Sequence, residues 1–508
     1  MGKTGSLVRI NGQDNVAVAL VPLKKGEVLP SPAGRDPLAV GDDIPAGHKI
    51  ALRNIETGER VVKYGLPIGA ASAPIPRGCH AHTHNVRTLL SETPEYHYRP
   101  AEKRDAPSLR EAGGIPKISV FRRRDGRAGI RNEIWIIPTV GCVNKTAETL
   151  ARWADREYGG SAVDGVYAWP HPYGCSQMGR DHETTRTILA DLVKHPNAAG
   201  ALVLSLGCEN NTVAGFREAL GEYALDTGRV AFLVTQDEKD EIARGKALLA
   251  GLAAQAGKAR REPALLSEMV VGLKCGGSDA YSGITANVLV GRLCDVLCGM
   301  GASALLTEVP EMFGAEQMLM DRCETRDLFE KTVSLIKNFK EYYRAHGQVV
   351  YENPSPGNKA GGITTLEEKS CGCVQKGGAA TVRGVYRYGE RVVPGRGGVL
   401  LLEGPGNDLV SVTAMTAAGA NLILFTTGRG TPVGAPVPTV KISSNTALAE
   451  KKKNWIDFDA GALLETGGES LCSALLDLIM DVASGRRKTQ NEINGYREIA
   501  IFKDGVTL

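Results

Sequence analysis

Three cysteines share one local setting. Pro138-Thr-Val-Gly-Cys142, His171-Pro-Tyr-Gly-Cys175 and Leu206-Gly-Cys208 each follow an apolar run of strand character and precede a helical pattern. In an open parallel sheet the carboxyl ends of the strands form the ligand crevice, so the three thiols are expected to converge there. The helix N-terminus behind each one favours thiolate. Thiolates suit iron, an iron–sulfur cluster or zinc. The alternative is that each cysteine packs as a small hydrophobe. The same setting met three times favours one shared metal site at Cys142, Cys175 and Cys208. A fourth cysteine in this arrangement is missing, so a cluster would leave one iron open to substrate.

A second signal is Cys79-His80-Ala-His82-Thr-His84-Asn85. On an extended strand alternate residues face the same way, which gives the three histidines a common face. At roughly 3.3 Å per residue His80 and His84 would be about 13 Å apart, so at most a neighbouring pair could bind one ion. His82 and His84, with His171, are expected to act as acid and base, and His80 and Asn85 to meet substrate. Polar residues in turns extend the candidate substrate site: Arg127, Arg131, Asn132, Glu209, Asn210, Lys274, Ser278, Asp279 and Arg429. Guanidinium groups grip carboxylates with two prongs, which suits a sugar acid. Thr426-Thr-Gly-Arg429-Gly-Thr-Pro follows a strand and resembles an anion-binding nest of backbone N–H groups. Glu308-Val-Pro-Glu311 offers two further carboxylates, for which a structural ion-pair role is equally open.

The elements that must position these residues fall into three blocks. Residues 1–98 read as a small β domain, with the β-rich run Val16–Val21 and Gly/Pro punctuation at Lys25-Gly26, Pro45-Ala-Gly47, Thr57-Gly58 and Arg77-Gly78. Residues 99–117, with three prolines and many charges, read as a linker. From 118 to 262 short apolar strands alternate with amphipathic helices, which implies a parallel sheet. Arg260-Arg261-Glu262, closed by Pro263, marks a boundary, and 263–508 is a second α/β domain. The expected fold is therefore a small β domain followed by two α/β domains with mainly parallel sheets.

Composition narrows the function. The 508 residues are 43% hydrophobic and 23% charged, with a formal net charge of +3. Basic residues are not clustered beyond Lys451-Lys452-Lys453, so nucleic acid is not an expected partner. No stretch reaches the roughly 18 apolar residues of a membrane span. The N-terminal residues lack a secretory pattern. Eleven cysteines without paired spacing argue for a reducing compartment. A cytoplasmic protein is expected. No Gly-x-Gly-x-x-Gly follows a first strand, so nothing asks for nicotinamide.

Longer strings carry a resemblance. They include Lys63-Tyr-Gly-Leu-Pro-Ile-Gly69, Tyr173-Gly-Cys-Ser-Gln177, Gly207-Cys-Glu-Asn-Asn211, Cys275-Gly-Gly-Ser-Asp279, Thr307-Glu-Val-Pro-Glu-Met-Phe-Gly-Ala-Glu316 and Trp455-Ile-Asp-Phe-Asp-Ala-Gly461. Across essentially its whole length the chain resembles the altronate/galactarate dehydratase family, with an N-terminal domain similar to the β-clip called SAF. Cys371 stands where an aliphatic residue is expected, so it is given no ligand role. Val288 stands where proline is expected. The resemblance implies a hydro-lyase of hexuronate catabolism that takes D-altronate to 2-dehydro-3-deoxy-D-gluconate, supported by Fe2+, mononuclear or in a cluster. It also implies a homo-oligomer acting on a small-molecule sugar acid. Two alternatives stay open: a lyase of another hydroxy acid, such as galactarate or a sulfonated acid, or a sugar-acid-sensing binding protein. The sensor reading leaves the cysteines and the histidine run without work.

Overall fold

The computed structural model describes residues 2–34, 36–90, 95–99 and 115–506. Residues 100–114 of the expected linker lie outside the described residues. The N-terminal block is all β. A five-stranded antiparallel sheet runs in the order Gly2–Thr4, Leu7–Arg9, Val16–Ala19, Lys49–Ala51 and His80–Ala81. A second sheet pairs Val86–Arg87, Leu66–Ala71 and Arg60–Lys63. Two small apolar cores fill it, one around Leu7, Leu38 and Ile50, the other around Val61, Ile68 and Ile75.

The middle block is a parallel sheet of β1 (Glu133–Pro138), β2 (Gly165–Ala168), β3 (Ala198–Ser205) and β4 (Val230–Val234), in the order β2-β1-β3-β4. Helices α1 (Asn144–Tyr158), α2 (Gly179–Val193), α3 (Val213–Leu220) and α4 (Glu241–Ala256) connect the strands. The stripe Ala147, Leu150, Ala151 and Ala154 of α1 is buried, as its 3.6-residue spacing requires. The charged stretch read as a boundary forms an edge strand, Arg261–Leu265, antiparallel to Lys117–Arg122. Pro263, with no N–H to donate, is tolerated at such an edge.

The C-terminal block is a seven-stranded parallel sheet. Its strands are β5 (Val270–Cys275), β6 (Ser303–Leu306), β7 (Val382–Tyr386), β8 (Val399–Leu402), β9 (Leu422–Thr427), β10 (Thr439–Ser443) and β11 (Phe458–Asp459), in the order β7-β8-β6-β5-β9-β10-β11. The chain leaves β5 on one side through β6 and returns on the other through β9. This is the strand-order reversal at which α/β sheets place a crevice. Among the described residues no helix is long and apolar enough to cross a membrane.

The blocks are packed into one another. Trp135, Trp169 and Ile188 of the middle block share a core with Val412, Ile423 and Phe425 of the C-terminal block. Two buried ion pairs, Arg131–Glu492 and Arg497–Glu133, cross the same boundary. The β block docks through an ionic trio: Glu368, in α5 (Leu366–Cys373), lies 2.9 Å from Lys49 and 2.8 Å from Lys63, all three fully buried. Burial lowers both lysines. Glu368 outweighs it at Lys63, which is held above its ordinary range, whereas Lys49, also repelled by Lys63, is left at about 8. Burial would raise Glu368, but the two ammonium groups hold it well below the usual carboxylate range.

Candidate functional site

The three glycine–cysteine turns sit side by side at the carboxyl ends of β1, β2 and β3, and hydrogen bonds tie them into one loop cluster. Gly141 N–H donates to Tyr173 O (2.8 Å), Asn211 N–H to Gly174 O (3.0 Å) and the Asn211 amide to Thr139 O (3.0 Å). Gly174 has φ +101°, and a Cβ there would lie 2.0 Å from Thr139 O, so only glycine lets the second turn close on the first. Glu209 pins the third turn, its carboxylate accepting from Thr139 Oγ1, Ser205 Oγ and the Gly207 N–H. Asn210 Oδ1 accepts from the Ser176 N–H at 2.9 Å. Glu209 and Asn210 therefore build the turns, where substrate contact had been expected.

Cys142, Cys175 and Cys208 are all exposed on this cluster. Packing as small hydrophobes does not describe them. Among the described residues only His48, His80 and His82 bring three ligand atoms within 4.8 Å of one another. The thiols are therefore spaced more widely than a closed single-ion site requires. Ligands that bind different irons of one cluster need no such closeness, and soft, accessible donors on a rigid loop cluster fit that group.

Several expected site residues lie elsewhere. Arg127, Arg131 and Asn132 precede β1, whereas Cys142 follows it, so the whole strand separates them, about 20 Å at its rise per residue. Arg127 pairs with Asp125 (2.7 Å) and Tyr223. Arg131 grips Glu492 with both prongs, and Asn132 accepts from Arg123 and donates to Ala256 O. The sequence supplied the right residue types for carboxylate binding but not the end of the strand. His171 is buried, with Nε2 donating to Pro138 O (2.8 Å) and Nδ1 accepting from the Tyr173 N–H. Both nitrogens are spent on backbone and burial lowers its pKa, so it pegs the turn and has no free nitrogen for catalysis.

The histidine run departs from an extended strand. Pairing ends at Ala81, and the chain turns so that Asn85 accepts from the His82 N–H and donates to His80 O. Asn85 thus holds the turn. His80 and His84, expected about 13 Å apart on a straight strand, have ring centroids 5.3 Å apart. A further histidine joins them: His48 Nδ1 is 3.0 Å from His80 Nε2. Burial lowers His48, and takes His80 to about 4 and His82 to about 3, so these imidazoles are neutral near pH 7. His84 is exposed.

A third concentration of polar groups lies at the carboxyl ends of β5, β6 and β8, around a cavity of about 730 Å³ lined by Cys275, Glu311, Asn358, Lys359, Lys369 and Asp408 among others. Lys274, wholly buried beneath it, contacts Glu308 and lies 2.7 Å from Asp408. Lys369 lies 2.8 Å from Glu311. Burial, with Glu311 nearby, drives Glu308 up, whereas Lys369, Lys274 and Lys376 outweigh burial at Glu311 and hold it low. Glu308 also has φ +68°, a strained conformation for this residue, and its buried Oε2 has no hydrogen-bond partner. Ser278 Oγ lies 2.7 Å from Cys275 Sγ. Asp279 is spent on Ser282, Ser444 and Asn445, and Arg429 is exposed with one bond to Gly357 O. Arg180, just beyond the Cys175 turn, lies 3.8 Å from Glu403, next to the cavity wall, so the two strand-end regions are neighbours. Sequence reasoning missed His48, Lys369 and Asp408, which no motif marks.

Comparison with known proteins matches all three blocks. Residues 5–89 match the altronate/galactarate dehydratase SAF domain, 120–257 the second domain of D-galactarate dehydratase/altronate hydrolase, and 266–507 the D-galactarate/altronate dehydratase C-terminal domain. The chain is 49% identical to altronate dehydratase of Escherichia coli (strain K12), over 99% of each chain. It is 50% identical to altronate dehydratase of Bacillus subtilis (strain 168), over 99% of this chain and all of that one. Galactarate dehydratase (L-threo-forming) of Escherichia coli is 31% identical over 98% of this chain and 97% of its own.

Proposed function

Because the chain belongs to the altronate/galactarate dehydratase family, we propose that it is a hydro-lyase that removes water from D-altronate to give 2-dehydro-3-deoxy-D-gluconate. The observation that carries the substrate is the full-length likeness to two altronate dehydratases, against a much weaker one to a galactarate dehydratase.

The C2 proton of such an acid lies beside the carboxylate, and its loss leaves an enediolate-like charge. We assign the iron to Cys142, Cys175 and Cys208, as ligands to different irons of one cluster; when bound, it would supply Lewis acidity for the substrate oxygens. The chain's own residues do the rest in the neighbouring cavity. Lys369 offers a cation to the carboxylate. Glu308 and Glu311 are two carboxyl groups pushed apart in basicity, so that Glu308 can hold a proton to give while Glu311 stays ionised beside Lys369. The exposed His84 is a further proton carrier. The water-poor floor over Lys274 strengthens these interactions. The enol then relaxes to the ketone with no net oxidation. We place the enzyme in the cytoplasm as a homo-oligomer.

The test is anaerobic incubation of iron-loaded protein with D-altronate and, separately, galactarate, followed by assay for a 2-keto acid. Product from D-altronate is expected. Equal or faster turnover of galactarate would overturn the substrate, and no product from either would overturn the lyase reading.

A further inference from the structure

The β block carries a metal-binding geometry separate from the thiols. Its register brings it about: Ile50 pairs with His80 and Lys49 with Ala81, so the next step places His48 opposite His82. His80 lies two residues from His82 on the same face. The antiparallel pair thus delivers three imidazoles to one patch, with ring centroids 4.6 to 5.3 Å apart. Their ligand nitrogens all lie within 4.8 Å of one another.

Two details point to a ligand in that patch. His82 Nδ1 is buried and has no hydrogen-bond partner, an uncommon state for a buried polar atom. His48 directs its Nε2 toward Ala360 O, at 3.4 Å, and its Nδ1 toward His80 Nε2, at 3.0 Å. A histidine whose far N–H is taken by a backbone carbonyl has the arrangement of a metal ligand, with tautomer and ring orientation fixed from behind.

We infer that His48, His80 and His82 form a three-nitrogen site for a divalent first-row transition metal. The donors are neutral imidazoles, which suit Fe2+, Co2+, Ni2+ or Zn2+ and not the oxygen-seeking Mg2+ or Ca2+. Three protein ligands leave open positions for water or a hydroxy-acid oxygen. Ala360, which receives His48, follows Asn358 and Lys359 of the cavity wall, so the back of His48 is joined to that wall. The site is independent of the iron assigned to Cys142, Cys175 and Cys208.

Cobalt(II) separates the two sites, because thiolate-bound Co2+ shows sulfur-to-metal charge-transfer absorption and imidazole-bound Co2+ does not. Metal-stripped full-length protein is titrated anaerobically with Co2+, following the visible d–d bands and the near-ultraviolet. The Cys142→Ser/Cys175→Ser/Cys208→Ser variant is expected to bind one ion per chain and to keep the imidazole d–d bands seen in wild type. His48→Ala and His82→Asn should each weaken that binding at least about tenfold, with unchanged circular dichroism. Co2+ should also raise the melting temperature of the triple serine variant and leave that of its His82→Asn derivative unmoved. Absence of a saturable ion in the triple serine variant, or undiminished binding in a folded histidine variant, overturns the site. Should a histidine variant fail to fold, the triple serine titration alone decides. Loss of the charge-transfer bands from wild type would count against the thiol site only.

Discussion

The carboxyl ends of the two parallel sheets have the same topology and opposite surroundings. In the middle block the strand ends carry exposed thiols on turns locked by backbone hydrogen bonds. In the C-terminal block they carry lysines and carboxylates, buried and paired with one another. The first arrangement presents accessible sulfur donors, touched among the described residues only by Ser176 at Cys175 and Gln236 at Cys208; the second holds its charges paired with one another. A parallel sheet fixes where a site lies, and the residue after each strand decides whether it awaits a metal or orients a polar substrate.

The sharpest way to break this contrast is to remove the donors. Cys142→Ser, Cys175→Ser and Cys208→Ser are each expected to lower bound iron and turnover together, by at least about 100-fold. Compared metal-free, the variants should melt near the wild-type temperature, since exposed thiols contribute no packing. Full iron content in all three, by metal and acid-labile sulfide analysis, would return the cysteines to a surface role.

The buried charges should behave in the opposite way. Glu368→Ala leaves Lys49 and Lys63 without their anion and is expected to cost about 3–5 kcal/mol, read as a lower urea midpoint. The acid limb follows from the same residue. Its pKa is depressed on folding, so below the ordinary carboxylate range the unfolded chain binds a proton that the folded chain does not. Stability should therefore fall as pH drops from about 5 to about 3. Glu368→Gln should flatten that part of the curve.

Gly174→Ala probes the scaffold between these extremes. Its Cβ would clash with Thr139 O, so a cost of about 1–3 kcal/mol and faster amide exchange in the three turns are expected. Arg127→Ala, at the far end of β1, breaks the contacts to Asp125 and Tyr223 and should cost about 0.5–3 kcal/mol of stability while leaving turnover of the folded enzyme near wild type; a large loss of turnover would reopen its substrate role.

Much of the fold was legible, because burial writes its period into the chain. Ile134–Ile137, Ala201–Leu204 and the face Phe329, Ile336 and Phe339 of the helix Arg326–Ala345 could be read directly. The adjacency of the three cysteine turns was legible too, since glycine–cysteine at a strand end has a local signature. What escaped was set by distance in sequence. His48 meets His80 through strand pairing across 32 residues, and Lys49 meets Glu368 across 319. Arg131 was misplaced because its partner, Glu492, lies 361 residues away. The turn at Asn85 was missed because a side-chain amide, not a glycine, bends the chain there.

The ionic trio at Glu368 has a consequence for what the covalent chain contributes. The β block has cores of its own and meets the rest through an interface as dry as an interior. In that case the contacts between the blocks, more than their covalent connection, hold them together. Joining two binding partners in one chain raises the effective concentration of each at the other. Two separately made pieces, mixed above their dissociation constant, should therefore reassemble into one particle, held by the contacts that hold the intact chain.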